Sequence, residues 1–203
     1  MATTVITADL VKQLRDKTGA GMMECKAALS EANGNIDEAV TLLRKRGLAQ
    51  AAKRAGRTTA QGMIGSYIHM GGKIGVLLEV NCESDFVART EDFQNLVKEV
   101  GMHIAAADPK WVRREEVPAE AIEKEKGIYR AQMESSGTPA NVIDKIVEGK
   151  LGSFYSQFVL LDQPSVRDPN VTSAQLVAQT SAKTGENITV SRFVRFRVGE
   201  ATE

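Results

Sequence analysis

Met63-Ile64-Gly65-Ser66-Tyr67-Ile68-His69-Met70-Gly71-Gly72-Lys73-Ile74-Gly75-Val76-Leu77-Leu78-Glu79-Val80-Asn81 is the stretch that decides the fold class. Two β-like runs, Met63 to Met70 and Lys73 to Asn81, flank a Gly-Gly pair, and two glycines allow the positive φ angles of a tight hairpin turn. A third strand is expected over Ile188 to Val198, with Ile188, Val190, Val194, Phe196 and Val198 alternating on one side and Arg192 interrupting. Everything else with a clear period reads as helix. Few strands among many helices predict an α+β fold, an antiparallel sheet with helices on one face.

Upstream of the hairpin, three short helices are expected. Thr7 caps the first, whose apolar stripe is Leu10, Val11 and Leu14, and Thr18-Gly19-Ala20-Gly21 interrupts it. The second runs from about Met22 to Ala32 and stops at Asn33-Gly34. Asn35-Ile36-Asp37-Glu38 opens the third as a variant capping box, and Gly47 is expected to end it. So small a bundle has a thin core and is expected to lean on something else. An Ala-, Arg- and Lys-rich stretch from Leu48 to about Gly62 reads as a short helix and a linker. It sets an expected boundary between a module at 1–55 and a core at 56–203.

Downstream of the hairpin, Phe93, Leu96, Val97, Val100 and Ile104 mark one face of a helix from about Glu91 to Ala106. A protruding helical hairpin is expected at about 118–160. It turns at Ser135-Ser136-Gly137, and Thr138-Pro139 supplies a cap and an N1 proline for its second arm. Thr172-Ser173-Ala174-Gln175 opens one more helix as a Thr/Gln capping box.

Composition narrows the class of function. Lys plus Arg and Asp plus Glu are 26 each, so no long-range attraction toward nucleic acid or an anionic membrane follows. Aromatic residues are 5%, too few for a base-stacking surface. Met1 to Leu10 lacks a basic region followed by an apolar core, so no signal peptide is expected, and no apolar run approaches a membrane span of roughly 20 residues. Cys25 and Cys82 show neither disulfide nor zinc spacing, which predicts a reducing, cytoplasmic setting.

Catalytic patterns are missing. His69 and His103 are the two histidines, and neither sits in a zinc-helix pattern. Gly19-Ala20-Gly21 lacks both the lysine of a phosphate loop and the third glycine of a dinucleotide fingerprint. Carboxylates on the 118–150 stretch alternate with lysines, as on a solvated helix face. The expectation is therefore a protein that is not an enzyme and needs no metal or cofactor.

Two features carry more information. In Glu79-Val80-Asn81-Cys82-Glu83-Ser84-Asp85-Phe86-Val87-Ala88-Arg89 a strand ends and an aromatic precedes a helix. Either Asp85 or Thr90 caps that helix while Phe86 packs inward, as in a scaffold protein, or Phe86 stands at a turn tip as an anchor for a partner's pocket. Between Glu38 and Glu79 there is no acidic residue, while Arg44, Lys45, Arg46, Lys53, Arg54, Arg57 and Lys73 fall inside. That stretch is either a cation-coated helix end or, over 44–57, a surface for RNA phosphates.

The run Leu14-Arg15-Asp16-Lys17-Thr18-Gly19-Ala20-Gly21-Met22-Met23-Glu24-Cys25-Lys26-Ala27-Ala28-Leu29 resembles the N-terminal signature of the elongation factor Ts family. Glu79 to Arg89 resembles its second signature, E-V-N-C-x-T-D-F-V-A, with Ser84 where Thr is usual. The likeness continues to Gly185-Glu186-Asn187-Ile188 and covers essentially the whole chain. It implies a ubiquitin-associated-like three-helix module and a guanine-nucleotide exchange factor that releases GDP from elongation factor Tu. By that match Arg15, Met22 and Met23 touch the GTPase. Ser84, Asp85, Phe86 and Val87 disturb its magnesium site with Phe86 as wedge, and His69, Gly185 and Asn187 add contacts from the core. One hairpin carries both Gly65-Ser66-Tyr67-Ile68-His69 and Ser84 to Val87, as in the short form of the family. The resemblance therefore implies a homodimer whose two-fold axis restores a missing copy.

Overall fold

The computed structural model describes residues 5–200; residues 1–4, the start of the stretch expected to lack a signal peptide, lie outside them. The expected α+β architecture is present: the described residues form helices and one three-stranded antiparallel sheet. The order along the chain is α1 (Ala8–Thr18), α2 (Met22–Glu31), α3 (Ile36–Arg54), β1 (Gln61–Ile68), β2 (Ile74–Cys82), α4 (Asp85–Ala88) and α5 (Glu91–Ala107). Then come α6 (Ala119–Ser135), α7 (Ala140–Phe158), α8 (Ser173–Thr184) and β3 (Ile188–Arg197), and β2 lies between β1 and β3. The chain divides into two compact units. One gathers 5–63, Val80–Leu96 and Gln175–Thr189, and the other Ile64–Glu79, Val97–Ala174 and 190–200.

In the first unit the helix ends follow from local chemistry. Thr7 Oγ1 accepts from Leu10 N at 3.3 Å, and Asn35 Oδ1 accepts from Asp37 N and Glu38 N, satisfying N–H groups that have no carbonyl one turn back. Gly19 ends α1 in the left-handed region at φ +68°. Val11, Leu14, Cys25, Ala28, Leu29, Ala32 and Ala39 form the buried core of the three-helix module. Gly47, expected to stop α3, lies inside it, because α3 runs on to Arg54. A methyl group there would stand 3.3 Å from the Ala182 Cβ, so the missing side chain lets α8 approach. Arg54 Nη1 donates to the Ser181 carbonyl at 3.2 Å nearby. The thin module does lean on another element, and that element is α8.

The second unit is built on the inner side of the sheet. Val76 and Leu78 are buried, and so are Val97, Val100 and Ile104 of α5. A methyl group at Gly65 would lie 2.2 Å from Val97 Cγ1 and 3.1 Å from Leu78 Cδ2, so β1 sits as close as an absent side chain permits. The β1–β2 connection is five residues long, His69 to Lys73, rather than the tight two-residue turn expected. His69 N donates to Ile74 O at 2.9 Å, and Gly71 and Gly72 hold φ of +87° and +67°. At the base of the α6–α7 hairpin Trp111, Phe154 and Phe158 pack together, with ring centroids 6.2 and 5.1 Å apart. Pro139 takes the cap position of α7 rather than the first helical one, and Thr138 makes no cap bond.

β3 departs from its expected alternation. Ile188 and Val190 are buried, Ser191 and Arg192 are exposed in succession, and thereafter Phe193 and Arg195 turn inward while Val194 and Phe196 are exposed. Arg195 follows that inward set, its side chain 8% exposed, donating to Ala105 O and pairing with Asp108 and Glu200. Val194, Phe196 and Val198 consequently face out, because one extra residue in the phase reverses every later side chain. Ile64, Ile68 and Leu77 are exposed as well, leaving an open apolar sheet face in this unit.

His103 on α5 is buried, with Nε2 2.8 Å from Gln163 Oε1 and Nδ1 accepting from Val166 N at 3.3 Å. Gln163 Nε2 already donates to Ala107 O and Gln157 O, so its oxygen accepts and the imidazole is the neutral tautomer protonated at Nε2. Burial holds the His103 pKa below its usual value, against the hydrogen bond it donates to Gln163 and the charge of Glu99. Its stabilisation is therefore complete above the usual histidine pKa of about 6.5 and is lost as pH falls below it. Denaturant unfolding should show a lower midpoint at about pH 5.5 than at about pH 7.5, with one proton contributing at most about 1.4 kcal/mol per pH unit. The drop should shrink in His103→Gln. Separately, Gly65→Ala should lower stability by about 1–3 kcal/mol by overpacking, read as a fall in thermal midpoint.

Candidate protein-docking site

Where β2 ends, the chain needs new hydrogen-bond partners and finds them in a carboxylate. Glu186, just past α8, accepts from Glu83 N at 3.1 Å and Ser84 N at 3.0 Å, and Ser84 Oγ donates to it at 2.6 Å. The reverse bond also exists. Asn187 N donates to Glu83 Oε1 at 2.6 Å, and Arg57 Nη1 stands 3.3 Å from the same oxygen. The Asn187 N–H first, and the Arg57 guanidinium after it, hold the Glu83 carboxyl below the usual carboxylate range. Asn187 itself is 5% exposed, its Nδ2 donating to Arg57 O at 2.9 Å and Ala55 O at 3.4 Å. Gly185, in the left-handed region at φ +78°, lets the chain leave α8 into this loop.

Ser84 caps the short α4, accepting from Val87 N at 3.4 Å, and of the two expected caps for the following helix it is Thr90 that serves, its Oγ1 accepting from Phe93 N at 3.3 Å at the start of α5. Neighbours on a helix point about 100° apart, and here the split is complete. Val87 is buried, whereas Phe86 is 77% exposed. Leaving a Phe in water forgoes about 1.5–3 kcal/mol that burial would supply, so its position does nothing for this chain's own core. An isolated aromatic on a fixed turn suits insertion into a partner's pocket. Asp85 beside it pairs with Arg89 at 2.7 Å across one helical turn, an exposed pair worth little to stability.

The other anticipated residues fall in three places. Arg15 is exposed on α1, and Met22 and Met23, which open α2, are 50% and 77% exposed, so neither methionine belongs to the core. Two flexible thioethers in water have the chemistry of an adaptable contact surface. His69 belongs to the other compact unit, exposed, with Nδ1 3.1 Å from the Tyr67 hydroxyl. Of the basic stretch, Arg46 pairs with Glu31, Arg54 bonds the Ser181 carbonyl and Arg57 pairs with Glu83. Those three guanidiniums are engaged by their own chain.

Nothing in the sequence pattern singles out the Glu83–Glu186 pair. The available signal was positional: each carboxylate stands where a regular element has just ended and the next N–H groups lack partners. Among the described residues no group of three or more His, Cys, Asp or Glu side chains is placed to hold a metal ion, and no helix is long and apolar enough to cross a membrane.

Comparison with known proteins agrees with the geometry. Residues 3–200 match the family model described as Elongation factor TS. The chain is 61% identical over 195 residues to elongation factor Ts of Fervidobacterium nodosum, covering 96% of this chain and 99% of that one. It is 59% identical to that of Solibacter usitatus, over 97% of this chain and 92% of the relative. With the Thermosipho melanesiensis protein it shares 57% identity over 97% of this chain and the whole of the relative. An exposed Phe on a braced turn and a paired-methionine helix start thus occur in a chain matched almost end to end, and this chain belongs to the elongation factor Ts family of translation elongation factors.

Proposed function

We propose that this protein is the guanine-nucleotide exchange factor for elongation factor Tu. It docks on the GTPase, disturbs the magnesium and phosphate site, and so releases GDP. The observation that carries this reading is the exposed Phe86 on a turn fixed from beneath. Arg15, Met22 and Met23 give a second contact, so affinity and distortion come from different surfaces. Factor and nucleotide are then two ligands of one GTPase, each weakening the other by the same factor. No bond is made or broken by this chain, which acts without a cofactor and not as an enzyme. Removal of contacts to GDP acts mainly on the nucleotide's off-rate.

The working form is a homodimer in the cytoplasm. Ile64, Ile68, Leu77, Val194, Phe196 and Val198 leave one sheet face apolar and uncovered, and a second copy would bury it. Two buried, unpaired cysteines fit a reducing compartment. A two-fold axis lets one protomer offer Phe86 and its partner His69 to the same GTPase.

Phe86→Ala should stay folded and still bind elongation factor Tu, while release of labelled GDP falls about tenfold or more, the equivalent of at least about 1.4 kcal/mol in the transition state. Unchanged release would refute the wedge. Sedimentation equilibrium should find a dimer that Leu77→Asp with Phe196→Asp converts to monomer. A wild-type monomer that is fully active at low concentration would rule the dimer out.

A further inference from the structure

Two carboxylates cross between the end of β2 and the end of α8 in opposite senses. Glu186 takes the N–H groups of Glu83 and Ser84, while Glu83 takes the N–H of Asn187. Between them they occupy the N–H groups that a strand ladder would otherwise use. The link reaches a third segment, because Glu83 also meets Arg57 and Asn187 Nδ2 holds the carbonyls of Ala55 and Arg57 beyond α3. Three stretches distant in sequence are thus tied, mostly by side chain-to-backbone bonds, and the one from Asn187 N to Glu83 is charge-assisted and short at 2.6 Å.

Ser84 connects this tie to the exposed aromatic. Its single hydroxyl proton goes to Glu186 Oε1, and a lone pair remains for Val87 N. Of the α4 residues Val87 alone is buried, so packing fixes one side chain of that turn and the polar tie fixes its start. Phe86, surrounded by water, contributes nothing to holding its own backbone. We infer that Glu186 and Glu83 are positioning residues that preset the direction of Phe86 before any partner arrives, an inference that rests on the exchange reading of Phe86 given above. A preset wedge loses little conformational freedom on insertion and displaces what it meets, whereas a loose one yields instead. Docking through Arg15, Met22 and Met23 does not depend on the tie. Its loss should therefore lower the maximal rate of nucleotide release and leave the concentration for half-maximal effect nearly unchanged.

The test measures labelled-GDP release from elongation factor Tu against concentration of the full-length protein, for wild type, Glu186→Ala, Glu186→Gln and Phe86→Ala, and for Glu186→Ala combined with Phe86→Ala. Amide hydrogen exchange at Glu83, Ser84 and Asn187 is followed in the free proteins. Expected are slow exchange at these amides in wild type and fast exchange in Glu186→Ala. That variant should lose about tenfold in kcat with KM within about twofold. Glu186→Gln, whose amide oxygen still accepts both backbone N–H groups, should recover most of the loss. Adding Glu186→Ala to Phe86→Ala should cost nothing further, since the carboxylate acts through the aromatic. Wild-type kcat in Glu186→Ala beside a defective Phe86→Ala overturns the positioning role and spares the exchange reading. Additive losses, or unprotected wild-type amides, also overturn it. Full exchange by Phe86→Ala removes the exchange reading and the positioning role together.

Discussion

An aromatic ring left in water cannot anchor the backbone that carries it, because no neighbour gains from keeping it in place. Phe86 sits on a four-residue helix under that constraint, and the surrounding chain answers it with polar bonds rather than with packing. Ser84, Glu83, Glu186 and Asn187 make the residues just after β2 and the exit of α8 into one fixed seat. Carboxylates suit this work, since each has two oxygens and can accept from several donors at once. The same choice leaves its mark on Cys82, whose thiol is pushed up by burial and next by the Glu186 charge.

The N-terminal module faces a related problem at larger scale. Seven small or medium side chains make its core, and three of them are alanines. It borrows support from α8 through Gly47, where an added methyl group would crowd Ala182 at 3.3 Å, and through Arg54 on a carbonyl near the end of α8. Lys183 of that helix also lies over Gly19, the stop of α1, and pairs with Asp92. α8 therefore braces two parts of its unit: its flank receives α3 and its exit loop holds the turn that carries Phe86.

Local signals were readable from the sequence because their physics is local. Thr7 and Asn35 capped the helices they were expected to cap, Gly19 ended α1, and the apolar face of α5 lay buried as its spacing required. Gly47 misled because a glycine inside a helix looks like a stop unless its neighbour across the groove is known. The phase change at Ser191 and Arg192 was hidden for a similar reason: Val194 and Phe196 are apolar whether they face a core or an open face. The exposure of Phe86 could not be separated from an inward-packed residue at a helix entry, and the family signature alone favoured it. Glu83 and Glu186 were invisible, since bonds from a side chain to a backbone about a hundred residues away leave no period to detect.

β3 contains two half-strands that answer to different neighbours, joined at two successive exposed residues. Composition on either side of that joint is forgiving, because Val, Ile or Phe suits an apolar face wherever it points. Length is not. Removing one residue between Val190 and Phe193 would swing Phe196 and Val198 toward the interior and carry Arg195, with its bonds to Asp108 and Glu200, out to the open side. At this joint a deletion is a larger event than most substitutions, and relatives should tolerate changes of residue there far more readily than changes of count.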